Sequence, residues 1–187
     1  MSERFEIIPT PLDGLQVLQR KPLGDERGYL ERLYCADELA PLLSGRTVVQ
    51  INHTHTARRG TVRGMHFQHP PHAETKFVCC LRGEVFDVAV DVRDSSPTFL
   101  RWHAERLSAG NHRTLAIPEG FAHGFQTLTD DCELLYLHTA RHHPQAEAGL
   151  LPTDPRLGIP WPLPVTGLSP RDAGHPPLGS GFTGVTP

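Results

Sequence analysis

The sequence lacks an excess of charge of either sign, and it lacks long apolar runs. Its 18 Lys and Arg oppose 21 Asp and Glu, which leaves a net charge of −3 with histidine neutral. No basic cluster stands out, so the electrostatic signature of a nucleic-acid-binding protein is missing. No stretch reaches the ~18 apolar residues of a membrane span, and the N-terminus has no apolar segment of signal-peptide length. We therefore expect a cytoplasmic protein with neither nucleic-acid nor membrane partners.

Cysteine is also scarce, with only Cys35, Cys79, Cys80 and Cys132 in the chain. These residues show neither a CxxC spacing nor a zinc-like cluster with histidine. The neighbours Cys79 and Cys80 would point to opposite faces of a strand. We expect reduced, buried packing residues rather than redox or metal chemistry.

Short apolar or alternating segments recur between turn signals, as in TKFVCCL, GEVFDVAVDV and CELLYLHTA. This pattern is typical of an all-β sandwich or barrel. In EVFDVAVDV, Asp87 and Asp91 alternate with four apolar residues. The strand is therefore predicted to have a buried apolar face and a wetter face that carries the two aspartates.

The sequence predicts little helix, and proline is concentrated in its C-terminal part. Only ADELAPLLSG (36–45) indicates a short helix, which Gly45 would end. From Pro144 onward the chain holds ten of its eighteen prolines, which exclude a continuous helix or a central strand there. We predict one domain over 1–187, with a core at about 5–165 and a tail at 166–187 that wraps over the barrel or is partly disordered.

Two histidine-bearing segments have the spacing of a metal-binding cupin, a small β-barrel protein. The first has Gly60, five residues, His66, one residue and Gln68, and it is followed by Lys76 and, seven positions later, Gly83. The second reads Pro118-x-Gly120-x2-His123-x3-Thr127. Glutamine replaces the second histidine ligand, and a lysine stands near the place of the carboxylate. An ammonium repels a divalent ion and suits an oxyanion instead, so no metal is predicted.

Longer runs carry a specific resemblance. They are QINHTHTARRGTVRGMHFQHPPHAETKFV, GEVFDVAVDVRDSSPTF, IPEGFAHGF, ELLYLHT and DPRLGIPWP. In this order they resemble the dTDP-4-dehydrorhamnose 3,5-epimerase family over about residues 5–175. The resemblance implies a metal-free, cofactor-free cupin-type jelly roll, usually a homodimer, that acts on a nucleotide-diphosphate-linked 4-keto-6-deoxyhexose.

The resemblance also implies roles for individual residues. His66 matches the catalytic base, and Asp172 matches the carboxylate that orients it. Tyr136 matches the opposing acid, and Lys76 matches the lysine near the substrate C4 oxygen. Substrate-binding roles are implied for a further set, Arg27, Gln50, Asn52, Arg63 and His123. We expect Arg141 to contact the substrate as well.

The residues themselves leave other interpretations open. Ser169-Pro170-Arg171-Asp172 has the form of a helix start, so Asp172 is as readily a capping-turn residue as an orienting one. Tyr136 shares a strand face with Leu134 and His138 and can equally be a core aromatic.

The spacing of Arg63 and His66 raises a geometric question. Residues three apart lie on opposite faces of a regular strand. Gly64 between them would let both side chains face inward if it formed a β-bulge.

The sequence also departs from the family pattern. Arg141 and His142 stand where a tyrosine pair is common, and QINH stands where QDNH is common. The nucleotide base and the epimerised carbon therefore stay open.

A proton on C3 or C5 is acidic because it lies alpha to the C4 ketone, and its removal needs a base and a stabilised enolate. We expect an epimerase that inverts C3, C5 or both, of the type that converts dTDP-4-dehydro-6-deoxyglucose to dTDP-4-dehydrorhamnose. One alternative is a metal-dependent cupin using His66, His123 and either His69 or His72. The other is a cupin that binds a sugar nucleotide without catalysis.

Overall fold

A computed structural model describes residues 4–179 and 181–186. The described residues form a six-stranded sheet, a five-stranded sheet and a two-stranded hairpin, all antiparallel, with two four-residue helices. The elements in chain order are β1 (Phe5–Pro9), β2 (Gln16–Arg20), β3 (Leu23–Asp25), β4 (Gly28–Leu30), α1 (Ala40–Leu43), β5 (Gln50–Thr56), β6 (Val62–Gln68), β7 (Lys76–Arg82), β8 (Glu84–Asp91), β9 (Trp102–Ser108), β10 (Arg113–Ile117), β11 (Phe121–Thr127), β12 (Cys132–His138), β13 (Glu147–Gly149) and α2 (Pro170–Ala173).

The two large sheets pack face to face. The first has the strand order β1-β2-β10-β7-β12-β5, and the second has the order β13-β6-β11-β8-β9. A buried apolar cluster between them includes Val78 and Leu134 from the first sheet and Val85, Ala89 and Phe125 from the second. The prediction of an antiparallel cupin-type jelly roll with a short N-terminal helix is confirmed. Within the described residues, neither helix has the length and apolarity needed to cross a membrane.

The β8 strand corrects one prediction. Asp87 and Asp91 do not lie on a wetter face, because both are fully buried. Asp87 points between the sheets, where it contacts His123, and Asp91 is held by Arg93, Ser96 and Thr98. Alternation correctly divided the β8 residues between two faces. The prediction placed the face with the two aspartates toward solvent, whereas that face points between the sheets.

The apolar face of β8 points away from the other sheet and is covered by the proline-rich chain end. Val88, Val90 and Val92 join a second buried cluster with residues of the C-terminal segment, namely Leu150, Leu157, Ile159, Leu178 and Val185. Phe182 stacks on Phe99 with ring centroids 6.0 Å apart. The described part of 166–187 therefore wraps over the barrel, and Ser180 and Pro187 of the stretch expected to be disordered lie outside the described residues.

The helix predicted at 36–45 is shorter in the structure, where α1 covers Ala40–Leu43. Pro41 explains the late start, because proline lacks the backbone N–H and its ring clashes with the carbonyl four residues earlier. The helix ends before Ser44 and Gly45, which both have positive φ angles. Leu39 and Leu43 pack this segment on the outer face of the six-stranded sheet.

The cysteines match their prediction as packing residues. Cys79, Cys80 and Cys132 are buried, and all four thiols are free. Burial raises the pKa of Cys79 and Cys80, in the latter case to about 12. These two thiols are therefore protonated and unreactive near neutral pH.

A β-bulge at Gly64 shapes the inner wall of the barrel. His66 pairs with His123, but Arg63 pairs with Phe125, so β6 has one more residue than β11 over this stretch. Gly64 has φ +124°, and a Cβ atom there would lie 2.5 Å from the Gly124 Cα atom. The predicted bulge is confirmed, and it turns both Arg63 and His66 toward the same pocket.

We predict that Gly64→Ala destabilises the protein by about 2–5 kcal/mol, because it combines an unfavourable positive φ with a backbone overlap. The measurement is urea unfolding of the variant and of the parent protein. Gly110→Ala is the matched control, because Gly110 is exposed and a Cβ there has no atom within 4 Å. An unchanged unfolding midpoint for Gly64→Ala would show that the close packing of β6 on β11 is dispensable.

Candidate active site

A pocket of about 240 Å³ opens between the two large sheets. Strands of both sheets contribute to it, and so do the loops that follow β6 and β12. The lining residues are Gln50, Asn52, Thr54, Arg63, His66, Phe67, Gln68, Glu74, Lys76, His123, Phe125, Tyr136, His138, His142 and Glu147. Histidine, lysine, tyrosine and glutamate side chains thus converge in one concave site.

His66 and Asp172 form a hydrogen-bonded pair at this pocket. The His66 Nε2 atom lies 2.8 Å from Asp172 Oδ1, and the Gly64 N–H donates to Asp172 Oδ2 at 3.3 Å. The Asp172 N–H in turn donates to Ser169 Oγ at 3.0 Å. Both interpretations of Asp172 therefore hold, because its backbone belongs to the capped helix start while its carboxylate contacts the histidine.

Arg171 approaches the same imidazole, with its Nη2 atom 2.7 Å from His66 Nε2. Its side chain is 55% exposed, whereas the Asp172 side chain is 4% exposed and anchored by Gly64. The Asp172 contact therefore defines the histidine tautomer, with the proton on Nε2 and the lone pair on Nδ1.

The protonation states of this pair follow from their surroundings. Burial lowers the pKa of His66, and the hydrogen bond and charge of Asp172 only partly oppose that effect. Burial also acts to raise the pKa of Asp172, but its contacts with His66, Gly64 and Ser169 outweigh that effect and lower it. At neutral pH the arrangement is a neutral imidazole beside an ionised carboxylate.

Lys76 lines the pocket and belongs to a buried cluster of charged and polar side chains. Its Nζ atom lies 3.0 Å from Glu74 Oε1, and His138 Nδ1 lies 2.9 Å from Glu74 Oε2. The Lys76 and Glu74 side chains are only 8% and 9% exposed. Burial acts to raise the pKa of Glu74, but Lys76 and His138 hold it at about 2. Glu74 is therefore ionised at neutral pH.

Tyr136 stands on β12, in the sheet opposite to the strand that carries His66. Its ring meets His123 edge-on at 5.9 Å and lies parallel to His138 at 6.0 Å. Burial, reinforced by the charge of Asp87, raises the pKa of Tyr136. The phenol is therefore a neutral acid on the wall across from the His66 pair.

His123 is held by a carboxylate from the same sheet. Its Nε2 atom lies 3.0 Å from both oxygens of Asp87. Burial raises the pKa of Asp87, and the neighbouring His123 opposes the rise. The pair gives the pocket a second histidine with fixed orientation.

The structure places most of the predicted substrate-binding residues at the pocket, but two lie elsewhere. Gln50, Asn52, Arg63 and His123 line it. Arg27 lies in the β3–β4 hairpin, where its Nε donates to Asp25 Oδ1 at 3.1 Å, and this hairpin lines a separate depression.

Arg141 lines none of the described pockets, and its neighbour His142 does. The Arg141 carbonyl accepts a hydrogen bond from Gln68 Nε2 at 3.3 Å.

Several pocket residues were not predicted. His138 stands two positions from Tyr136 on β12, so strand alternation contained the signal that they share a face, whereas Glu74 precedes β7 and had no such signal. Asp87 was recognised only as part of a polar strand face. Glu147 and Arg171, which lie 2.9 Å apart, come from segments after the last long strand, where no periodicity reports on direction.

Gln68 has a structural role at the position where a metal-binding cupin has a histidine. Its Nε2 atom donates to the His72 and Arg141 carbonyls, and its Oε1 atom accepts the His143 N–H at 2.6 Å. The His72 ring stacks on His143, and neither His69 nor His72 lines the pocket. Among residues 4–179 and 181–186, no three His, Cys, Asp or Glu side chains converge to hold a metal.

Comparison with known proteins identifies the family. The family model described as dTDP-4-dehydrorhamnose 3,5-epimerase matches residues 9–180. The chain is 43% identical over 174 residues to the dTDP-4-dehydrorhamnose 3,5-epimerase of Salmonella typhimurium, covering 92% of this chain and 94% of that one.

Solved structures agree with this match. The dTDP-6-deoxy-D-glucose-3,5-epimerase of Legionella pneumophila, in complex with dTDP-4-keto-L-rhamnose, is 38% identical with a TM-score of 0.90, over 97% of this chain and 98% of that one. The dTDP-4-dehydrorhamnose 3,5-epimerase of Bacillus anthracis, with TDP and PPi bound, is also 38% identical, with a TM-score of 0.89, over 93% of this chain and 99% of that one. The chain therefore belongs to the dTDP-4-dehydrorhamnose 3,5-epimerase family.

Proposed function

We propose that the protein epimerises a dTDP-linked 4-keto-6-deoxy sugar at C3, C5 or both, converting dTDP-4-dehydro-6-deoxyglucose toward dTDP-4-dehydrorhamnose. One observation carries this proposal: a histidine–aspartate pair and a neutral tyrosine line one pocket from opposite sheets. Inversion at carbon needs a base on one side of the sugar and an acid on the other. The Legionella relative was solved with a dTDP-linked 4-keto sugar, which is the matching substrate class.

His66 acts as the base. Its Nδ1 lone pair takes the proton alpha to the C4 ketone, since Asp172 holds the proton on Nε2. The lowered pKa keeps the imidazole neutral at neutral pH, so the base is ready before substrate binds. Once His66 is protonated, Asp172 stabilises the imidazolium charge.

Lys76 stabilises the enolate that forms. Its ammonium is nearly buried, and a charge–charge hydrogen bond is much stronger in such a water-poor site than in bulk water. No metal ion is needed for this step, because the ammonium supplies the positive charge at the C4 oxygen.

Tyr136 completes the inversion by donating a proton to the face opposite to His66. Its raised pKa keeps the hydroxyl protonated until the carbanionic carbon needs the proton. His66 then releases the abstracted proton to solvent and the phenolate takes one up, which restores both groups for the next turnover.

Two arginines are suited to the diphosphate. Arg63 and Arg171 both line a second cavity that adjoins the pocket at His66. The planar guanidinium binds two phosphate oxygens at once, which favours arginine at a diphosphate site. Gln50 and Asn52 on β5 lie at the same pocket and supply neutral hydrogen-bonding groups for the nucleotide.

We also propose that the enzyme is a homodimer in which Arg27 serves the pocket of the partner. The hairpin that carries Arg27 exposes Leu23, Tyr29 and Leu30 by 52%, 62% and 67%, a concentration of apolar surface that favours association. Arg27 does not line the pocket of its own chain. If Arg27 of one chain enters the pocket of the other chain, it can bind the nucleotide although it lies away from its own pocket.

The remaining assignments are proposals of the same kind. The chain is proposed to be a single domain, because the described tail residues pack in the cluster on the five-stranded sheet. Four free thiols favour a reducing compartment, and we propose that the enzyme works in the cytoplasm.

Tyr136→Phe should separate proton exchange from inversion. In D₂O the variant should still incorporate deuterium into the 4-keto substrate, because His66 can return a solvent-derived proton to the face it left. Inverted product should fall by about 10²–10⁴-fold, the usual contribution of a general acid. NMR of the sugar protons measures both rates.

Tyr34→Phe is the matched control, because Tyr34 packs against Phe77 in the cluster on the outer face of the six-stranded sheet. It should leave both rates unchanged. A wild-type ratio of inversion to exchange in Tyr136→Phe would remove Tyr136 from the mechanism.

A complementation experiment tests the dimer. Arg27→Ala should impair nucleotide binding and His66→Asn should abolish exchange, so each variant alone should be inactive at low substrate concentration. When equal amounts of the two variants are mixed, dissociated and allowed to reassociate, up to about a quarter of wild-type activity should return. Half of the dimers then contain one chain of each variant, and each of these has one intact site. No recovery, together with a monomeric mass by light scattering, would contradict the shared site.

A further inference from the structure

A hydrogen-bond chain runs from Lys76 inside the pocket to residues of β5 and beyond. Glu74 contacts Lys76 Nζ with one oxygen and His138 Nδ1 with the other. The opposite ring nitrogen, His138 Nε2, lies 3.4 Å from Asn52 Nδ2. The Gln50 Nε2 atom donates to Asn52 Oδ1 at 3.3 Å.

The far end of this chain is a backbone group. Gln50 Oε1 accepts the His142 N–H at 3.1 Å. Five consecutive contacts thereby join the buried ion pair to a loop residue that also lines the pocket.

The donors and acceptors of this hydrogen-bond chain can be ordered in one direction, which Glu74 determines. An ionised carboxylate only accepts hydrogen bonds, so Lys76 and the His138 Nδ1–H must both donate to it. In the neutral imidazole, Nε2 then has a lone pair, which accepts the Asn52 N–H. The Asn52 oxygen is therefore free to accept from Gln50, and the Gln50 oxygen to accept from His142.

We propose that Glu74 is a positioning residue that aims the Lys76 ammonium at the substrate C4 oxygen and, through the tautomer of His138, orients Asn52 and Gln50 toward the nucleotide. This inference rests on the proposed function for the roles of Lys76, Asn52 and Gln50. The contacts of Glu74 and the tautomer that it selects do not depend on that function.

The burial of the cluster supports a specific role. The side chains of Lys76, Glu74 and His138 are 8%, 9% and 12% exposed, so none of them exchanges partners freely with water. Breaking one partner of a buried ion pair leaves the other charge uncompensated. Glu74 is thus the one group on which both the lysine and the histidine depend.

Glu74→Gln tests the proposal, because it keeps the shape and removes the charge. The amide oxygen would turn to Lys76, since an NH₂ group facing an ammonium is repulsive, and the NH₂ group would then donate to His138 Nδ1. This places the His138 proton on Nε2, opposite the Asn52 amide N–H, and breaks the chain. We expect kcat to fall about tenfold from the misplaced ammonium and KM to rise about fivefold.

Two further variants separate the effects. His138→Phe keeps the ring against Tyr136 and leaves the Glu74–Lys76 contact, so it should raise KM about fivefold with kcat within about twofold. In a Lys76→Met background, Glu74→Gln should lower kcat by less than about twofold, because the group that Glu74 positions is already gone.

Glu133→Gln is the matched control, since Glu133 makes a comparable contact with His53 at 3.1 Å but outside the pocket. It should leave kcat and KM unchanged. Thermal unfolding of each variant checks that it is folded.

A spectroscopic measurement decides the tautomer without any turnover. The two ring ¹⁵N shifts of His138, assigned by their loss in His138→Phe, should show the Nδ1–H form in the wild type and the Nε2–H form in Glu74→Gln. An unchanged tautomer together with wild-type kcat and KM in Glu74→Gln would overturn the proposal. A wild-type protein inactive on every 4-keto sugar nucleotide would instead overturn the proposed function, and the shifts would still decide the role of Glu74.

Discussion

Three ionisable side chains at the pocket, His66, His123 and Lys76, are shielded from most of the surrounding water and depend on partners within the protein. An unpaired buried charge costs several kcal/mol, so each such group is tied to another. His66 is tied to Asp172, His123 to Asp87, and Lys76 to Glu74. These pairs fix side-chain orientation and protonation state together. The pocket is therefore set for proton transfer before any substrate enters.

The same constraint explains why the proline-rich chain end is needed. Because the inner face of the five-stranded sheet carries the polar pocket residues, its apolar outer face must be covered by something else. Apolar residues of the chain end cover it, namely Leu150, Leu157, Ile159, Leu178 and Val185. The same part of the chain supplies Asp172 and Arg171 beside His66. The tail thus contributes both to the burial of apolar surface and to the His66–Asp172 pair.

Sequence reasoning predicted the elements that local patterns determine. Alternation gave the strands, and the three-residue spacing of Arg63 and His66 around Gly64 gave the bulge that brings them to one pocket. Alternation does not say which face of a strand is inside, which is why Asp87 was assigned to the wetter side. Pairings between distant segments, such as His138 with Glu74 and Arg171 with Glu147, depend on tertiary packing that no local pattern contains.

The sequence predicted the function in more detail than the geometry, because the motifs that indicate the function are short runs of residues in a fixed order. The glutamine and the lysine at two cupin ligand positions already argued against a metal, and the lysine suited an oxyanion. The structure gives Gln68 a separate role, in which it joins two loops. The position of Arg27 was not predictable, because the sequence alone does not show that its hairpin lies apart from the pocket of the same chain.

We propose that His66 and Tyr136 move protons alpha to a C4 ketone without a metal. The most direct measurement is mass spectrometry and NMR of dTDP-4-dehydro-6-deoxyglucose incubated in D₂O with wild-type protein freed of metal by EDTA. We predict deuterium at C3, C5 or both, together with inversion at the labelled carbon. Absence of exchange, or exchange that returns only when Fe²⁺, Mn²⁺ or Zn²⁺ is added, would contradict the account.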